Sequence, residues 1–445
     1  MSGNDIERNL PNDLIAYLSP TRLHIRMEEL RKHPTGKLDR LKNSIREFGM
    51  LGVVVVDKNG VVVAGELMTK AAIELRIEQI PVLRATHLSP AQIRAFRIAH
   101  NRLAEGSEWN LPELTMEFEA ILVDEPGFNL ELTGFETPQI DLIADGNSAS
   151  DPADFDEMEP EPEAVTRPGD LWRIKGHLLL CGDAKSARSH HRLMGSDRAG
   201  LVVTDPPFGV PVSNISSLCR RDFIEGGDMS VDEFCAFLSA SFRRMRQSVC
   251  PGALLYSFID WRGVDRLVSC CRDEGLQLFQ MCVWDKGSGG QGSFYRSQHE
   301  LVVVLKEPGA KHVNNIQLGK HGRNRTNVWS IPGLNRNSAE RSELLRSHPT
   351  PKPIQLLADI IKDASRLGDI VLDPFVGSGS TLIAAEITKR QARAIEKDPH
   401  YVDLAIRRFE QRFAVEARHV TTGLTFAELS RQRLTKPRPA KSEAA

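Results

Sequence analysis

Apolar and polar positions change their period several times along this chain. Leu38, Leu41, Ile45 and Phe48 recur at three- and four-residue spacing and are followed by Gly49, which predicts an amphipathic helix with a glycine stop. The stretch "GVVVVDKNGVVVAG" then places two β-branched runs around Asn59-Gly60, a pattern that predicts a tight β-hairpin. Ser89-Pro90-Ala91-Gln92 sets up another helix start, with Ser as cap, Pro at the first helical position and Gln reaching back. A helical block from Leu111 to Leu122 follows. Together these predict a small α+β unit over residues 14–144.

Periodicity then stops. Asp145 to Thr166 holds eight acids, Pro152, Pro160 and Pro162, and no Lys or Arg. Such a stretch buries too little apolar surface to balance the entropy of ordering it, so residues 145–168 are expected to be an acidic flexible linker. After it, short buried-strand patterns alternate with helical ones, which predicts an α/β domain over 169–420, with a basic disordered tail at 431–445.

Two stretches of this α/β half stand out. Leu201-Val202-Val203 runs into "TDPPFGV", where two prolines sit between an acid and an aromatic. Ile370 to Leu372 runs into Asp373-Pro374-Phe375-Val376-Gly377-Ser378-Gly379, then a helical composition, then the strand pattern Ala392 to Ile395 ending in Glu396. A glycine turn between strand and helix lets backbone approach a ligand closely, and an acid about 20 residues on suits ribose hydroxyls. The third glycine of the dinucleotide fingerprint is absent. That suits a ligand with adenosine but no pyrophosphate, as in S-adenosylmethionine.

Composition narrows the setting. At 445 residues, 41% hydrophobic and 26% charged, the chain reads as two or three globular domains. No apolar run approaches the ~18 residues of a membrane helix, and the start lacks a secretory pattern, so a cytoplasmic protein is expected. The seven cysteines are odd in number and lie between Cys181 and Cys282, with no CxxC pair, so neither a disulfide framework nor a metal site is expected. The net charge of −2 hides an asymmetry: without the eight linker acids the remainder carries +6. Lys311 to Arg346 has seven Lys/Arg against Glu340 and Glu343, a candidate phosphate-contacting surface or an ordinary solvated face.

With these motifs in order, two resemblances appear. Residues from about Gly169 to Phe413 resemble the DNA N-4/N-6 amino-methyltransferases, through "HLLLCGDA", Asp-Pro-Pro-Phe, "HPTPKP", the Asp373 to Gly379 motif and "IEKDPHYVDLAIRRFE". The resemblance implies a Rossmann-like fold with a mixed, mostly parallel sheet, and S-adenosylmethionine as cofactor. It implies that Asp373, Phe375, Gly377 and Gly379 form the cofactor loop, with Phe375 and the two glycines around the methionine portion. Glu396 would hold the ribose and Asp183 the adenine amino group, while Lys352, near His348 and Thr350, would face the methionine carboxylate. Read singly, Asp183 is also a plausible helix cap and Lys352 an exposed charge in a proline-rich loop. The catalytic motif precedes the cofactor motif by about 170 residues, the order of the permuted (β-type) group. That order puts target recognition at about 287–347, with Arg296, Arg323, Arg325 and Arg336 as candidate DNA contacts. Leu18 to Glu105 resembles the ParB-like N-terminal domain, but Gly65-Glu66-Leu67-Met68 lacks the family's arginine after the hairpin, which favours a binding or assembly module over a nucleotide-hydrolysing one.

The chemistry expected of "TDPPFGV" follows from its residue types. An exocyclic amino group is a poor nucleophile because its lone pair is delocalised into the ring. Asp205 and the Pro206 carbonyl can accept its two N–H donors and draw the nitrogen towards a pyramidal geometry. Pro206 and Pro207 stiffen the turn, and Phe208 offers a face for a base swung out of the duplex. The expected activity is site-specific transfer to adenine N6 in double-stranded DNA, with a homodimer as a candidate assembly. Cytosine N4 as the target, and a DNA-binding or partition module with an inert methylase half, are the alternatives.

Overall fold

The computed structural model describes residues 15–25, 36–105, 109–125, 128–147, 161, 163–208, 229–287, 295–318, 325–331 and 352–434. The chain divides into two compact units, Met1–Asn147 and Ser148–Ala445.

In the first unit the strands are β1 (Ala16–Leu18), β2 (Val54–Val56), β3 (Val62–Ala64) and β4 (Ile80–Arg84), in the sheet order β1-β4-β2-β3. The helices are α1 (Lys37–Phe48), α2 (Glu66–Glu74), α3 (Pro90–Glu105), α4 (Leu111–Asp124) and α5 (Thr137–Asn147). Gly49 ends α1 at φ 78°, as the sequence pattern predicts. Ser89 and Gln92 cap α3 reciprocally, the Gln92 amide bonding Ser89 Oγ at 3.3 Å and the Ser89 amide bonding Gln92 Oε1 at 2.9 Å. The hairpin is present but its turn is wider than two residues. Asp57 Oδ1 accepts from the Asn59 and Val61 amides at 2.9 Å each, and only Gly60 takes a left-handed φ. The aspartate side chain thus organises the turn in place of a left-handed asparagine. Leu23, Val54, Val56, Val62, Ala72, Ile80 and Val82 form the small core.

The second unit is built on β5 (Leu171–Ile174), β6 (His177–Cys181), β7 (Ala199–Thr204), β8 (Val249–Ile259), β9 (Gln277–Asp285), β10 (His299–Lys306), β11 (Val328–Ser330), β12 (Ile370–Asp373), β13 (Gln391–Glu396) and β14 (Arg418–His419). Their order is β11-β9-β10-β8-β7-β12-β13-β6-β5-β14. The central run β8-β7-β12-β13-β6 is parallel throughout, and antiparallel strands flank it. Side chains alternate between two buried faces. Leu201, Val203, Leu254, Tyr256, Val302 and Val304 enter one core, packed by α9 (Ile354–Ala364), α10 (Ser380–Ile387), α11 (Pro399–Phe413) and α12 (Phe426–Leu434). Val202, Leu255, Val303 and Leu305 enter the other, packed by α6 (Ala187–Met194), α7 (Val231–Gln247) and α8 (Val264–Asp273).

From β7 the chain continues outward to β8, whereas β12 continues the opposite way to β13. Their adjacent carboxyl ends therefore frame the crevice where open α/β sheets bind ligands.

Three boundaries differ from the sequence expectation. The stretch expected to be flexible is structured at both ends: Asn147 closes α5, and Val165 and Thr166 are buried, their amides bonded to the Asp403 carboxylate at 2.6 and 3.0 Å. The tail begins later than residue 431, because Arg431 to Leu434 complete α12 and the Arg433 guanidinium pairs with Asp170. The expected recognition segment contains β10 and β11, which are strands of the main sheet. No helix among the described residues is long and apolar enough to cross a membrane.

Candidate active site

A cleft of about 1160 Å³, open mouth included, lies at the carboxyl ends of β6, β7, β12 and β13. Asp183, Asp205, Pro206, Pro207, Phe208, Lys352, Asp373, Phe375, Gly377 and Glu396 all line it. The two motifs are joined across the β7–β12 seam, where Val371 and Leu372 pair with Leu201 and Val202.

Asp373 is the fastener of that seam. Its Oδ1 accepts from Thr204 Oγ1 and the Phe375 amide at 3.1 Å each, and its Oδ2 accepts from Thr381 Oγ1 at 2.6 Å. Burial pushes its carboxyl up to about 7, against the pull of those donors. With three partners inside the protein, Asp373 shapes the loop that follows β12; the sequence alone placed it among the cofactor contacts. Gly379, also expected at the ligand, is absent from the cleft lining. It turns at φ +89°, and a Cβ there would stand 2.8 Å from that of Ala405 on α11, so its role is close helix packing.

Glu396 ends β13, with Oε2 accepting from the Gly377 amide at 2.9 Å and Oε1 from the Asp398 amide at 2.8 Å. Burial pushes it up to about 7 against these bonds. Each oxygen keeps a further lone pair for a ligand hydroxyl. Next to it, the Gly182 amide bonds the Glu396 carbonyl at 2.8 Å, which brings Asp183 to the same wall. Asp183 lines the cleft and does not cap α6, whose N-cap is Ser186: its Oδ1 accepts from the Lys185 amide at 2.8 Å in the turn before the helix, and Lys397 Nζ stands 3.4 Å from its Oδ2. Phe375 packs on Phe237 with ring centroids 5.6 Å apart.

Asp205 follows β7 directly. Its Oδ2 accepts from Lys352 Nζ at 2.6 Å, while its Oδ1 is buried without a hydrogen-bond partner among the described residues. Burial pushes its carboxyl up to about 6, with Lys352 pulling it down and Glu300 pushing it up. Lys352 does not stand as an exposed charge, nor is its ammonium free to face a cofactor carboxylate. It is buried, bonded to Asp205 and 2.8 Å from Glu300 Oε1, and lies over the Phe258 and Phe208 rings at 5.0 and 5.6 Å. Burial works against this ammonium, but the two carboxylates outweigh it and raise its pKa. Glu300, on β10, is bonded through its other oxygen to Lys286 at 2.7 Å. Sequence reasoning passed over Glu300, Thr204 and Thr381; the one available signal was "SQHE", which it assigned to target recognition.

Of the arginines expected to meet DNA, Arg296 is exposed. Arg325 is committed elsewhere, 3.1 Å from Asp359 and 2.9 Å from Asp363 on α9, so it braces the fold. Arg323, Arg336, His348 and Thr350 lie outside the described residues.

The chain is similar to several known proteins. The DNA methylase family model matches residues 199–407, and a ParB-methyltransferase HTH domain model matches residues 112–168. The second match falls on α4, α5 and the acidic stretch, which sequence reasoning had read as a plain helical extension and a linker. Over 241 residues the chain is 34% identical to the Type II methyltransferase M.ScaI of Streptomyces caespitosus, covering 47% of this chain and 74% of that protein. Over 250 residues it is 22% identical to the Type II methyltransferase M.HpaI of Haemophilus parainfluenzae, covering 53% and 74%. A solved M1.HpyAVI–SAM complex aligns with a TM-score of 0.40 and 20% identity, over 52% of this chain and 98% of that one. The chain belongs to the N6/N4 DNA methylase family, enzymes that transfer a methyl group from S-adenosylmethionine to an exocyclic amino group of a DNA base.

Proposed function

We propose that this enzyme methylates adenine N6 at a specific sequence in double-stranded DNA. The observation that carries amino-group chemistry is the buried, unpartnered Asp205 Oδ1 in the same cleft as the cofactor loop. S-adenosylmethionine, when bound, supplies an electrophilic methyl group. Glu396 would hold its ribose hydroxyls, Asp183 its adenine amino group, and Phe375 and Gly377 its methionine portion. Lys352 belongs instead to Asp205, whose Oδ2 it occupies.

Asp205 Oδ1 and the Pro206 carbonyl accept the two N–H groups of the target, and Phe208 gives the extruded base a flat wall. In the transfer the methyl–sulfur bond would break as the C–N bond forms, leaving the cofactor as a neutral thioether and a surplus proton on the nitrogen, which a carboxylate raised towards neutrality is suited to take. Adenine rather than cytosine rests on the whole-chain pattern, a ParB-like region followed by a methylase, which resembles adenine-specific methylases. Arg296, Arg323 and Arg336 remain the proposed DNA contacts. Digestion of methylated DNA to nucleosides should yield N6-methyladenine; N4-methylcytosine would overturn the choice of base while leaving amino transfer standing.

A further inference from the structure

Four charged side chains from separate elements form a continuous line into the cleft. Asp205 follows β7, Lys352 precedes α9, Glu300 lies on β10 and Lys286 follows β9. The contacts run Asp205 Oδ2 to Lys352 Nζ at 2.6 Å, Lys352 Nζ to Glu300 Oε1 at 2.8 Å, and Glu300 Oε2 to Lys286 Nζ at 2.7 Å. Glu300 and Lys352 keep only about 5% and 6% of their side-chain surface. Burying two such charges is costly, and a single ion pair of Lys352 with Asp205 would already neutralise the site. The second carboxylate therefore calls for an explanation.

We propose that Glu300 is a positioning residue for methyl transfer: by sharing the Lys352 ammonium it fixes that ammonium on Asp205 Oδ2 and leaves Asp205 Oδ1 turned to the target nitrogen. The sharing has an electrostatic consequence. Lys352 alone would make Asp205 a weak acceptor; Glu300 opposes that pull and keeps the carboxylate basic. Asp373, from β12, is the remaining acid facing this group among the described residues, and its hydrogen bonds are to the Phe375 amide, Thr204 and Thr381.

This role rests on the amino-methyltransferase reading, so the experiment separates the two. Methyl transfer by the wild type and its loss in Asp205→Ala establish that reading alone. Glu300→Gln keeps the shape and one acceptor oxygen but removes the charge. It should lower single-turnover kcat on the order of 10–100-fold, leave the KM for S-adenosylmethionine near wild type, lower the melting temperature because Lys286 and Lys352 lose a shared counter-charge, and move the acid limb of the pH–rate profile to lower pH. Lys352→Met should move that limb the other way. Wild-type kcat with an unmoved limb in Glu300→Gln overturns the proposal. So does a loss of kcat accompanied by a raised KM and an unmoved acid limb, which marks a purely structural role. If Glu300→Gln fails to fold, Lys286→Met, which loosens Glu300 from the far side, replaces it and must reproduce the kcat loss at unchanged KM.

Discussion

Asp205→Asn tests the site at its centre, because the two carboxylate oxygens have different tasks. Oδ2 accepts from Lys352 Nζ at 2.6 Å, and Oδ1, buried and without a partner among the described residues, is the atom proposed to meet the target N–H. Both sides need an acceptor, and an amide has only one. The buried ammonium will claim the amide oxygen, which turns the NH2 of Asn towards the base amino group, donor against donor. The loss is one charge-assisted hydrogen bond, about 1.5–3 kcal/mol, plus the repulsion that replaces it. A total of about 3–4 kcal/mol corresponds to about 10²–10³ in kcat. The assay is single-turnover transfer of labelled methyl groups to DNA, with cofactor binding measured by calorimetry alongside. Cofactor affinity should stay within a few-fold, since no proposed cofactor contact changes. A variant that keeps more than about a tenth of wild-type kcat would refute the idea that Oδ1 accepts from the target.

The same carboxylate predicts a pH dependence. Burial raises Asp205 to about 6, and the ionised form is the working one, so activity should hold above neutrality and fall as pH drops through about 6; a rate flat down to the ordinary Asp range would contradict this. Gly379→Ala forces a Cβ to 2.8 Å from the Ala405 Cβ at a φ of +89°. It should cost about 2–4 kcal/mol of stability, read as a lower melting temperature. Arg325→Ala should weaken the packing of β11 and α9 by about 1–3 kcal/mol, while leaving the salt dependence of DNA binding unchanged. A shallower salt slope in that variant would return Arg325 to the DNA interface.

The motif residues, the cap at Ser89 and the stop at Gly49 were legible because each is a local pattern with a local cause. What lay hidden depends on contacts between distant positions. Lys352 and Asp205 are 147 residues apart, and nothing near Lys352 in the chain shows that two carboxylates wait for it. Arg325 looked like a phosphate contact because charge counts show sign but not partners; Asp359 and Asp363 come from a helix further along. The β10 strand was readable as the apolar run Leu301 to Leu305, but motif order drew the whole segment towards target recognition.

The β7–β12 seam carries a consequence for how such enzymes diversify. The strands β8, β10, β9 and β11 on one side of β7 come from the chain between the two motifs, β12 leads into the second motif, and the strands beyond β12 come from outside that stretch. The join itself is a short run of paired backbone and one Thr204–Asp373 bond. One flank of the sheet can therefore accumulate insertions, deletions and new loops as a cassette. As long as the join and the Asp205–Lys352–Glu300 contacts survive, the loops of that flank can vary without disturbing the site.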